Sequence, residues 1–163
     1  VPYIYDKDIN IINELDGTYE QSTQATMVGA MDYVEHLRNS EAYDNTVLIV
    51  MSDHGYNGSL GQSGEATWMR QCALLLIKGR NEHHDTMQIS QAPISFEDLQ
   101  EAYVRLLDGR QSDEVFDWKE GDARERRFLR YSFLDDDHMQ EYMQTGYASD
   151  MDTMIPTGRE YNR

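Results

Sequence analysis

Tyr43-Asp44-Asn45-Thr46-Val47-Leu48-Ile49-Val50-Met51-Ser52-Asp53-His54-Gly55 passes from a polar turn through a continuous apolar run to a polar corner. Asp44 and Asn45 break whatever helix precedes them. Residues 46–51 are β-branched or aliphatic throughout, the pattern of a strand buried on both faces, which predicts a central parallel strand. Asp53 and His54 follow at once, where the chain leaves the alternating pleat. Two adjacent side chains can converge there, as they cannot inside a strand.

Upstream, Tyr19, Thr23, Met27, Ala30, Met31, Val34 and Leu37 recur at spacings of three and four, which predicts a helix over 19–39. Downstream, the glycine-rich stretch 55–64 is too polar to pack on itself and reads as a loop at the strand's C-terminal end, where ligand sites gather. A second apolar run, 72–77, predicts a neighbouring buried strand that stops at Lys78-Gly79. A polar loop carrying His83 and His84 follows, as far as Pro93. Ser95 and Asp98 form a capping-box pattern with aspartate in the glutamate position. Phe96, Leu99, Tyr103, Leu106 and Leu107 then continue a helical stripe over 95–108, which Gly109 ends. Beyond it, 111–163 is a charged tail with short apolar runs around Phe128-Leu129, Tyr131 to Leu134 and Met139 to Met143. Turns are expected at Thr145-Gly146 and Pro156-Thr157-Gly158. The expected organisation is an α/β domain over 1–110, helices flanking a mostly parallel sheet, with the tail packing on it as short strands. No internal repeat is present.

A carboxylate beside a neutral imidazole, as at Asp53-His54, suits zinc, manganese or a similar divalent ion, and Gly55 leaves room for a close approach. The same pair also makes the plain hydrogen bond that opens a turn. Trp68 and Arg70 flank the glycine-rich loop, where an indole face suits a sugar and a guanidinium an anionic group, although Trp68 equally caps a core. His83 and His84 can approach a substrate or metal from their loop or simply be solvated. Asp135-Asp136-Asp137-His138 lacks the alternating spacing and bounding glycine of a calcium loop and reads as a solvated turn. His36 reads as an exposed helix residue, and Cys72, in an apolar run, as core.

The chain has 163 residues, of which 39% are hydrophobic, enough for one domain core. Its formal charge of −16 repels nucleic-acid phosphates, so nucleic acid is excluded as a partner. One cysteine excludes an internal disulfide and a four-cysteine zinc site. No apolar run reaches the roughly 18 residues of a membrane span, so the chain reads as soluble. It opens on Val1-Pro2-Tyr3 without methionine, and the expectation is that an upstream part, with any signal or anchor, precedes it.

The segment 43–55 resembles the part of the alkaline phosphatase superfamily in which a Y-D-N-T turn and a strand deliver an Asp-His pair to metal. Cys72-Ala73-Leu74-Leu75-Leu76-Ile77-Lys78-Gly79 resembles that family's next strand, with alanine where proline is common, and Ala92-Pro93-Ile94-Ser95-Phe96-Glu97-Asp98-Leu99 resembles its following helix start. The pattern is most similar to the sulfatase-like branch that includes lipoteichoic acid synthases and phosphoethanolamine transferases. The resemblance implies the C-terminal part of an alkaline phosphatase-like sandwich. It also implies that Asp53 and His54 ligate a divalent ion, manganese or zinc rather than calcium or magnesium, since imidazole is not a hard oxygen donor. The nucleophile and a further acidic ligand would lie in the preceding part of the same domain. The parent would be an extracytoplasmic or membrane-anchored enzyme of the bacterial cell envelope, acting on a sulfate-ester or phosphate-containing substrate that is glycan- or lipid-linked. The formylglycine signature of true sulfatases is absent. The competing expectation is a non-catalytic module that binds a glycan or cell-wall polymer through residues 55–70.

Overall fold

The computed structural model describes residues 4–13, 16–55, 72–132 and 135–162. They cluster into two compact units, Val1–Thr46 and Val47–Arg163.

In the first unit a short loop is closed by a bridge between Tyr5 and Ile11. Asp6 Oδ1 accepts the backbone N–H groups of Asp8 and Asn10 at 2.9 Å. Helix α1 (Tyr19–Asn39) has the extent its apolar spacing predicts. It starts where it does because Thr18 Oγ1 accepts from Gln21 N at 3.2 Å while Gln21 Oε1 accepts from Thr18 N at 3.0 Å, a reciprocal cap. Val34 is buried from the expected stripe, whereas Met31 is exposed, as is His36. The Arg38 guanidinium lies over the Tyr43 ring, 4.9 Å from its centre, and Thr46 Oγ1 donates to the Ala42 carbonyl at 2.7 Å, closing the turn ahead of the next strand.

The second unit holds mixed α and β structure. Strands β1 (Leu48–Met51) and β2 (Leu75–Lys78) form a two-stranded sheet. The two apolar runs are neighbours as expected, but they pair antiparallel, Leu48 opposite Lys78 and Met51 opposite Leu75. The parallel pairing expected of them is therefore corrected. The reason is positional: the chain re-enters the sheet beside the end it left, with Ser52 N donating to Leu74 O at 3.1 Å, so β2 must run back along β1. Both strands are shorter than their apolar runs, and most of their residues are half-buried rather than buried on both faces.

Ile49 and Ile77, opposite one another and so on one face, pack with Val47 and Phe116 around Ala102, Leu106 and Val115. Leu106 comes from α2 (Leu99–Leu107), which follows a 3-10 turn at Phe96–Asp98. The capping arrangement read from the sequence is present, with Asp98 Oδ2 accepting from Ser95 N at 2.7 Å. Arg124, 7% exposed, reinforces it, giving Nη1 to Asp98 at 2.5 Å and to the Pro93 carbonyl at 3.1 Å, pairing with Glu97, and stacking on Trp118.

The tail forms a three-stranded antiparallel sheet of β3 (Arg126–Ser132), β4 (Asp135–Gln144) and β5 (Met154–Asn162). Short strands were expected here. The solvated turn read at 135–138 is corrected, since those residues begin β4. The turn read at Pro156-Thr157-Gly158 is corrected as well. It is an irregularity inside β5, where the register shifts between Gln140 and Tyr142 and Gly158 takes φ +78. Glu141 is buried at this bulge and accepts from Arg127 Nη1 at 3.0 Å and Tyr161 Oη at 3.2 Å.

Candidate metal-ligand site

β1 ends at Met51, and the two residues that carry the proposed chemistry come directly after Ser52. Tyr103 of α2 donates its hydroxyl to Met51 Sδ at 3.3 Å, tying helix to strand just before this corner. Asp53 then bends out of the ladder with its side chain 89% exposed. One of its oxygens is used locally, since Oδ1 accepts from His54 N at 3.0 Å. The other, Oδ2, lies 3.8 Å from His54 Nε2. The plain turn-opening hydrogen bond and the convergence of the two side chains are therefore both present.

The imidazole is oriented by its neighbour. His54 Nδ1 lies 2.6 Å from the Gly55 carbonyl, which can only accept, so Nδ1 carries the proton. In the neutral ring the lone pair then resides on Nε2, the atom that faces Asp53. A ligating imidazole is commonly held in this way, with its other nitrogen donating to a carbonyl. Two donors bonded at about 2.1 Å to a tetrahedral ion stand about 3.4 Å apart, so Oδ2 and Nε2, at 3.8 Å, would close by a few tenths of an ångström to share one. Among the described residues no group of three or more His, Cys, Asp or Glu side chains converges in this manner, so these residues bring two protein donors to the corner.

His83 and His84 are not brought to this corner. They follow the far end of β2, where Lys78 pairs with Leu48. Leu74, beside Ser52, lies five residues before Gly79, roughly 16 Å along a strand. His83 is exposed, and His84 Nε2 bonds Glu82 Oε1 at 3.0 Å. Trp68 and Arg70, with most of the loop 55–70, lie outside the described residues. Cys72 sits before β2 rather than in the strand, half-buried, its thiol donating to the Ala148 carbonyl at 2.9 Å. Burial pushes that thiol up, against the pull of the Arg126 charge, which suits packing and not nucleophilic attack.

Sequence reasoning passed over Glu82. Its side chain is 4% exposed, yet it accepts from Gly79 N and Ser112 Oγ at 2.5 Å, from His84 at 3.0 Å and from Ser112 N at 3.2 Å. Burial alone would raise its carboxyl, but the Ser112 hydroxyl and the other donors outweigh it and hold the group down at about 2. Gly79 is required beside it, since a Cβ there would meet Glu82 Oε2 at 3.0 Å and the Arg110 carbonyl at 3.1 Å. The residue types in Gly79-Arg80-Asn81-Glu82 carry no sign of this, because half of the donors come from a turn some 30 residues later.

No family model, curated protein or solved structure matches the chain.

Proposed function

We propose that this chain is the C-terminal part of a metal-dependent sulfuric-ester hydrolase or phosphoryl-group transferase of the sulfatase-like family, to which it contributes Asp53 and His54 as ligands. The observation that carries the reading is the corner itself: Asp53 Oδ2 and the lone-pair nitrogen of His54 face each other across 3.8 Å at the end of an apolar strand. The motif resemblance over 43–55, 72–79 and 92–99 adds the family. An ion held there lowers the pKa of a hydroxyl nucleophile and offsets charge on a phosphoryl or sulfuryl oxygen. Asp53 supplies a negative donor that is already half satisfied by the His54 amide. His54 supplies a neutral donor whose ring the Gly55 carbonyl keeps from turning. The resemblance assigns the nucleophile and a further acidic ligand to the preceding part of the domain.

In this reading β1 and β2 are the antiparallel portion of an alkaline phosphatase-like sandwich whose mostly parallel sheet is completed by that preceding part. Uncovered apolar surface supports it. α2 buries Leu99, Ala102 and Leu106 while its Val104 and Leu107, and Phe96 in the turn before it, stand exposed, the pattern of a helix meant to be covered more fully than it is here. Met87 and Ile89, ahead of that helix, are also exposed. The parent acts outside the cytoplasm on a sulfate-ester or phosphate-bearing substrate, glycan- or lipid-linked. Among the described residues no helix is long and apolar enough to cross a membrane.

The test is calorimetric titration of the chain with manganese and with zinc, alongside Asp53→Asn and His54→Ala. Altering a group that merely orients a ligand weakens metal binding by roughly tenfold or more. Loss of a ligand itself should therefore cost at least that in each variant. Affinities equal to the unaltered chain in both variants would show the pair to be a turn and nothing else.

A further inference from the structure

The antiparallel ladder of β1 and β2 does not end in the ordinary way. In a closely spaced antiparallel pair, two opposite residues exchange both backbone bonds. At the rung beyond Met51 and Leu75, Ser52 N donates to the Leu74 carbonyl at 3.1 Å, which is half of that exchange. The other half is different: Leu74 N donates at 2.8 Å to Ser52 Oγ instead of to the Ser52 carbonyl. The serine hydroxyl thus stands in for a main-chain acceptor. The Ser52 carbonyl is released from the ladder, and the peptide joining Ser52 to Asp53 is free to rotate while Leu74 N–H keeps a partner.

From this geometry we infer that Ser52 is a positioning residue for the Asp53-His54 pair, its side chain replacing the last main-chain rung so that both ligands can turn to one point. The alternative backbone path shows why the substitution matters. If the Ser52 carbonyl took up its rung and the strand ran on through the corner, the pleat would send the side chains of residues 53 and 54 to opposite faces. Two donors on opposite faces cannot share an ion at bond lengths near 2.1 Å. The described bend at Asp53, and the 3.8 Å approach of Oδ2 to Nε2, both lie immediately after the exchanged rung. The inference rests on the metal-site reading for its purpose but not for its geometry.

Two readouts on the full 163-residue chain separate these. The first is metal-free: through-hydrogen-bond NMR coupling from the Leu74 amide nitrogen to the carbonyl carbon of residue 52. It should be absent in the unaltered protein and in Ser52→Thr, which keeps the hydroxyl, and should appear in Ser52→Ala as the carbonyl takes the vacated rung. The second is line broadening of the His54 ring and Asp53 signals by manganese chloride alone. Losing one hydrogen bond of ordinary net strength should raise the manganese concentration needed in Ser52→Ala by about fivefold, with Ser52→Thr unchanged. A coupling already present in the unaltered protein overturns the proposal even if Ser52→Ala does not fold. So does a Ser52→Ala variant without the coupling and with unchanged broadening. If the couplings behave as expected but manganese broadens neither residue in the unaltered chain, the positioning of the pair stands and the metal reading falls.

Discussion

Glu82 keeps its charge where little water reaches it, and the cause is the count of donors aimed at it. Its carboxyl is held at about 2 in the folded chain against roughly 4.3 for an unfolded glutamate. The folded value is the lower one, so the stabilisation is complete above pH ~4.3 and is lost as pH falls through the interval down to about 2. At ~1.4 kcal/mol per unit this amounts to about 3 kcal/mol. Glu82→Gln should lower stability at neutral pH by about 2 kcal/mol, because the amide leaves one donor group facing another, and should flatten the loss of stability between pH ~4.3 and ~2. Urea unfolding across that range measures both effects, and an unchanged acid slope in the variant would show that other carboxylates carry it. The corner at Asp53 and His54 was legible because an apolar strand ends beside it, a local signal. Glu82 was not, because its environment is assembled from Gly79, His84 and Ser112, and a polar loop of the same composition is normally solvated.

At the level of elements, the helices were legible and the sheet was not. α1 matches its predicted bounds, and the second predicted helix appears as a 3-10 turn joined to α2, since the spacing and caps that specify a helix all lie within it. Gly109 marks the end of α2 with φ +92, a conformation costing an L-residue about 1–2 kcal/mol, and no atom lies within 4 Å of where a Cβ would stand. Gly109→Ala should therefore destabilise by about 1–2 kcal/mol through the backbone alone. Gly29→Ala, inside α1 and equally unobstructed, should instead stabilise its helix by roughly 0.5–1 kcal/mol. Denaturant unfolding followed by circular dichroism checks both signs, and a neutral Gly109→Ala would mean that the helix end relaxes. Strand direction, by contrast, is set by where the chain re-enters a sheet. Residues 46–51 and 72–77 are equally apolar whether they run parallel or antiparallel, and the direction appears only in the folded pairing, Leu48 opposite Lys78 through Met51 opposite Leu75. The Pro156-Thr157-Gly158 sequence has turn chemistry that serves a bulge as readily as a reversal, since both need a residue tolerating positive φ.

For the molecule as a whole, charge and donor count bear on activity together. A formal charge of −16 raises the cost of bringing a sulfate or phosphate ester to any part of this surface. An ion bound by Asp53 and His54, as proposed, would offset that only locally, and with two donors among the described residues it would leave most of its positions to water. Transfer further requires a nucleophile fixed in line with the ester, and such positioning accounts for roughly 7–11 kcal/mol of barrier lowering, which an ion and two ligands do not supply. On the proposed function that nucleophile would come from a preceding part of the domain. The chain by itself should accordingly show no hydrolysis of aryl sulfate or phosphodiester test substrates above buffer with manganese, zinc, magnesium or calcium. Joined to that preceding part it should be active, and Asp53→Asn or His54→Ala should then lower rate and metal affinity together. Metal-dependent turnover by the 163-residue chain alone would place a nucleophile among these residues, and undiminished rates in both variants of the joined protein would reduce the pair to a structural turn.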